Sequence, residues 1–133
     1  MNQKALKKKS NISEIIIVLI VLSTITALAT GLIIKRNNQL NNDGKRKASI
    51  LEIQKSLENY YGEEGMYPAN LDMLIPNYLE TKPPDIGDYP YEYMPTSNNI
   101  TYKLKVKLER PNVEDDYVVD DSGMKYYQVE SKQ

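Results

Sequence analysis

Acidic oxygens gather twice near the C-terminus, at Glu114, Asp115 and Asp116 and again at Asp120, Asp121 and Ser122. A hard divalent cation such as calcium takes six to eight oxygen ligands, so a dense acidic loop is suitable chemistry for one. Asp, Ser and Gly are also the ordinary residues of solvated turns, and both readings fit the spacing. A different acid, Glu14, opens a long apolar run. An ionised carboxylate there needs the headgroup region or a positive partner. It is either an interfacial residue beside Lys9 or an intramembrane partner for a positive charge on a neighbouring copy.

What is missing narrows the chemistry further. The 133 residues include no His and no Cys. That removes the thiol nucleophile, the thiolate zinc site, the disulfide and the commonest general base. A sequence pI of about 5.5 also argues against nucleic acid as a partner, because that binding rests on excess positive charge over phosphate. Eleven Tyr, all at position 60 or later, stand in for Phe and Trp, which are absent.

The net charge of −1 hides two unlike parts. Residues 1–47 hold nine basic and two acidic side chains, and residues 48–133 hold eight basic and sixteen acidic ones, so +7 is joined to −8. Ile15 to Ile34 is twenty residues without a charge. As a helix it spans about 30 Å, the hydrocarbon thickness of a bilayer. Its β-branched residues disfavour helix in water, but in lipid the backbone must satisfy its own hydrogen bonds. The Lys run at 4–9 holds that end cytoplasmic by the positive-inside rule, with Lys35 and Arg36 at the far interface. A removable secretory signal, cut after Ala27-Leu28-Ala29, is the rival. The apolar run continues past that point through Ile34, which favours a retained single-pass helix.

Beyond the polar Asn37–Asn42 stretch, read either as linker or as helix continuation, Ile50, Ile53, Leu57, Tyr60 and Tyr61 recur at three and four residues, with Leu51 alongside. That spacing predicts an amphipathic helix, ended by Gly62 and Gly65, with Glu52, Lys55 and Glu58 off the buried stripe. Asn70 caps a short second helix stopped by Pro76. Tyr89, Tyr91 and Tyr93 alternate as a short strand. Ile100, Tyr102, Leu104, Val106 and Leu108 alternate with polar residues, which predicts a strand over 100–108 with a packed face and a wet lysine face. Tyr117–Val119 and Tyr126–Val129 flank Asp120-Asp121-Ser122-Gly123 as a hairpin. The fold class is α+β: a transmembrane helix, extended by an amphipathic helix laid on a small antiparallel sheet. The chain thus divides into a basic cytoplasmic leader (1–11), a transmembrane helix (12–35), a polar stretch and amphipathic helix (36–61) and a globular antiparallel sheet region (62–133).

Basic leader, apolar helix headed by one Glu, amphipathic helix and small sheet, in that order, resemble the type IV pilin-like family, most closely the major pseudopilins of type II secretion. The segment from Arg46 to Pro68 carries most of the likeness, with Leu57, Tyr60-Tyr61, the Gly62–Gly65 turn and Tyr67-Pro68. Leu71-x-x-Leu74, Tyr78-Leu79, Pro84-Asp85 and Tyr91-x-Tyr93 continue it. The resemblance implies a filament subunit of the cell (inner) membrane, without catalysis of its own. Its C-terminal part would be extracytoplasmic and its partners other copies of itself, with Glu14 in subunit pairing. It also implies a prepilin peptidase that cuts between Lys9 and Ser10 and methylates the new terminus, and an inner-membrane assembly machinery. Lys9 stands where the family has Gly, so an uncleaved chain tethering a small binding domain is the alternative. Major pseudopilins bind calcium in a C-terminal loop, which directs that expectation to Glu114, Asp115, Asp116, Asp120, Asp121 and Ser122.

Overall fold

The computed structural model describes residues 11–112 and 114–132. One α-helix, α1, runs Ile12–Glu64, so the Asn-rich stretch is helix continuation and not linker. The chain divides into two compact units, one ending at Asn37 and the other Asn38–Gln133. In the first, no residue from Ile12 to Ile34 is buried, and the segment is long and apolar enough to cross a membrane. In the second, α1 buries Ile50, Ile53 and Leu57 as the spacing predicted, but Leu51 is half exposed. The helix stops at Gly65, which takes a φ of +72° that favours glycine. Its N–H donates to the Tyr61 carbonyl at 2.8 Å. Gly62, expected to help end the helix, lies inside it.

A 3-10 helix, Leu71–Leu74, follows, capped by the Asn70 side chain as expected. Four strands then form an antiparallel sheet: β1 Glu92–Pro95, β2 Tyr102–Lys107, β3 Val118–Asp121 and β4 Met124–Glu130, in the order β1-β2-β4-β3. β1 starts later than the Tyr alternation predicted, since Pro90 cannot donate to a ladder. β2 is shorter than 100–108, because Ile100 belongs to the preceding turn and stands exposed. The hairpin forms where expected but with a shorter loop: Asp120 and Asp121, read as loop, belong to β3 and pair with Lys125 and Met124, and Ser122 and Gly123 both take positive φ, the two-residue loop that suits strand twist.

Leu104 faces Val129 and Val106 faces Tyr127 across β2 and β4, and these four join Ile50, Ile53, Leu57, Tyr67 and Tyr102 in one core. The opposite face is not simply wet. Lys105 is 8% exposed, held by Asp121 at 2.7 Å and Glu92 at 3.3 Å. Glu58 is likewise drawn inward, because its carboxylate accepts from both the Tyr67 and the Tyr102 hydroxyl at 2.9 Å. Burial first, and then that shared carboxylate, push both phenols well above their ordinary range.

One buried cation ties α1 to the end of the sheet. Arg46, wholly buried, donates to Asp43 at 2.6 Å and Glu109 at 2.7 Å, and twice to the Ile86 carbonyl at 3.0 and 2.7 Å. Asp43 in turn accepts the backbone N–H groups of Glu109 and Arg110. Gly87, at φ +65°, lies so close that a Cβ would stand 2.9 Å from Arg46 Nη2. Removing one partner of such a buried set costs about 3–5 kcal/mol, so Arg46→Met is expected to lower unfolding stability by that order in detergent solution. The Arg46 hydrogen bond holds Glu109 below its usual carboxylate range. That contribution is full above about pH 4.3 and fades as pH falls through the lowered value. The acid sensitivity of the wild-type protein should therefore be blunted in Arg46→Met, as read by urea unfolding at pH 7 and pH 3.5.

Candidate functional site

The first candidate surface is the helix segment from Glu14 to Ile34. Glu14 lies in the first turn, where a carboxylate suits the positive end of the helix dipole, and its N–H donates to the Asn11 carbonyl at 2.9 Å. At 3.6 residues per turn, Val18, Val21, Ile25, Leu28 and Leu32 share its side. Ser23, Ala27 and Gly31 recur every fourth residue on the other side, and nothing lies within 4 Å of where a Gly31 Cβ would be. The hydroxyls do not stay free. Ser23 and Thr24 donate to the carbonyls three residues back, and Thr26 and Thr30 to those four back, all at 2.8–2.9 Å. A hydroxyl satisfied within its own helix can face lipid at little cost. Lys9 and Ser10, the expected processing position, and the rest of the basic leader before Asn11 lie outside the described residues.

The second candidate is the pair of acidic loops. Asp115 pairs with Lys47 at 2.6 Å, Asp120 with Lys125 at 2.7 Å and Asp121 with Lys105 at 2.7 Å. Each hydrogen bond from lysine depresses the aspartate below its ordinary range. Remaining oxygens are used locally: Asp115 caps Tyr117 N–H, Asp120 caps Gly123 N–H, and Ser122 donates to Asp121. Glu114 and Asp116 make no ion pair among the described residues. No group of three or more potential metal-ligating side chains converges among the described residues. The sequence showed the acids but not the lysines that meet them, since Lys47 and Asp115 lie 68 positions apart.

The Arg46 set was the feature that sequence reading missed. Arg46 looked like one more cation in a basic run, and the i,i+3 spacing from Asp43 was its only local signal. A groove of about 660 Å³ beside the sheet is lined by Leu51, Gln54, Tyr117, Tyr127, Glu130 and Lys132 among others, and among the described residues no nucleophile in it is hydrogen-bonded to a base.

No protein-family model, curated protein or solved structure matches this chain.

A calcium ion bound at the 120–122 hairpin would compete with Lys125 for Asp120 and with Lys105 for Asp121. The expected outcome is therefore the same melting temperature in millimolar CaCl2 as in millimolar MgCl2. A rise specific to calcium, lost in Asp120→Asn or Asp121→Asn, would assign the ion to this hairpin.

Proposed function

We propose that this chain is a pilin-like structural subunit of a type II secretion pseudopilus or a related type IV pilus-like filament. The carrying observation is α1 itself: one acid in its first turn, then twenty uncharged residues, none of them buried, leading on to a helix packed against an antiparallel sheet. On this reading the segment sits in the cell (inner) membrane with its N-terminus cytoplasmic and the sheet unit outside. The assembly machinery then lifts the helices into a bundle of copies. Heterologous contacts that do not close generate such filaments. Small residues at Ser23, Ala27 and Gly31 allow backbones to approach closely, and Glu14 neutralises the N-terminal amine of the next subunit. Prepilin peptidase supplies that amine by cutting between Lys9 and Ser10 and methylating it.

A second reading is favoured by Lys9, which replaces the family's Gly. An uncleaved chain would remain a monomeric anchor for the small sheet unit.

Because breaking a buried charge pair costs about 3–5 kcal/mol, Glu14→Ala should abolish assembly while leaving membrane insertion intact, as read by electron microscopy and membrane fractionation. Cys at Ser13 and Thr24 should cross-link neighbouring copies. Filaments persisting in Glu14→Ala would contradict the pairing role, and absent cross-links would favour the monomeric anchor.

A further inference from the structure

The loop joining β1 and β2 contains Asn99-Ile100-Thr101, the Asn-x-Thr acceptor pattern for asparagine-linked glycosylation. The pattern is short, and the chain carries a second example, Asn11-Ile12-Ser13. Their settings in the fold separate the two. The Asn11 carbonyl accepts the N–H groups of Glu14 and Ile15 at the head of the apolar helix, a position with no aqueous loop around it on the membrane reading. Asn99 lies in a tight turn beside exposed Ser97, Asn98 and Ile100.

Asn99 has a structural use as well. Its φ is +55°, a left-handed conformation that Asn tolerates better than most residues. Its N–H donates to the Thr96 carbonyl at 2.9 Å, and its carbonyl accepts the Tyr67 N–H at 2.7 Å. The turn therefore uses the backbone of Asn99 but not its carboxamide, which makes no hydrogen bond among the described residues. The neighbouring polar side chains are engaged instead: Thr96 Oγ1 donates to Asn98 and accepts the Thr101 N–H. The Thr101 hydroxyl is held only by a long 3.3 Å contact to Thr96.

We propose that Asn99 is a glycan acceptor. The proposal rests on the reading that the sheet unit is extracytoplasmic. The donor class is an oligosaccharide carried on a membrane lipid pyrophosphate. Asn99 Nδ2 forms a bond to the anomeric carbon while the bond from that carbon to the pyrophosphate oxygen breaks. The lipid pyrophosphate departs with the electron pair, and the Nδ2 proton passes to a carboxylate of the transferase. A hydrated glycan at this turn would add bulk at the β1–β2 end of the sheet and leave the Glu14–Ile34 surface free for packing.

The test is peptide mass spectrometry of the full chain taken from its native membranes, with Ser97→Cys labelled by a membrane-impermeant maleimide in spheroplasts. The expected result is a glycan on the peptide containing Asn99, lost in Asn99→Gln and Thr101→Ala and kept in Thr101→Ser, with Asn11 unmodified. An unmodified Asn99 in a chain whose position 97 is labelled overturns the proposal alone. Failure to label position 97 overturns the orientation on which it rests. A glycan on Asn11 in place of Asn99 overturns both the assignment and the membrane placement of the helix head.

Discussion

A guanidinium with no solvent exposure cannot be left without partners. Arg46 is in that position, so the chain around it has little freedom. Asp43, one turn earlier on α1, supplies one oxygen, Glu109 beyond the end of β2 another, and the Ile86 carbonyl takes two N–H groups. Three segments separated by as many as 66 positions must therefore meet at one atom cluster. The connection before β1 has to bring Gly87 close enough that no side chain fits there. The same set supports helix where propensity does not. Asn38, Asn41, Asn42 and Gly44 are poor helix formers, and tertiary contacts at Asp43 and Arg46 hold this part of α1 in place of local preference.

On the membrane reading, the two units answer to two different solvents. From Glu14 to Ile34 the backbone is helical throughout and the Ser23, Thr24, Thr26 and Thr30 hydroxyls turn back onto it, which is what hydrocarbon demands. In the sheet unit Tyr102, Leu104, Val106, Tyr127 and Val129 pack with Ile50, Ile53 and Leu57 of α1, and charges are matched across strands. Lys105 lies between Glu92 and Asp121, and Lys103 lies opposite Glu130. Such pairing matches several of the acids on the strands with lysines although acids outnumber bases in this half. It also explains why the aspartates of the hairpin are engaged before any cation arrives. The longest exposed apolar surface among the described residues is that of α1 from Ile15 to Ile34, and for that reason the proposed assembly runs through it.

Much of this was legible from spacing. The buried stripe at Ile50, Ile53 and Leu57, the Asn70 cap, the alternation in β2 and the Ser122-Gly123 hairpin all follow from periodicity and turn chemistry, which are local. What was not legible is long-range. Glu58 read as a solvent-facing residue until Tyr67 and Tyr102 were brought to it. Lys105 read as wet until Asp121 and Glu92 closed over it, and Ile100 read as strand although its carbonyl neighbour Asn99 turns the chain. For the acidic loops, composition revealed the oxygens, but only the fold revealed the lysines that take them.

The anchoring of the chain through α1 is most directly tested by determining the N-terminal residue and intact mass of the protein from its native membranes. The account predicts a chain that keeps the whole apolar run, beginning at Ser10 with a methylated amine if processed, or upstream of it if not. A chain beginning at Thr30 would remove Glu14 and three quarters of the Ile15–Ile34 run, and would contradict both anchoring and assembly through that helix.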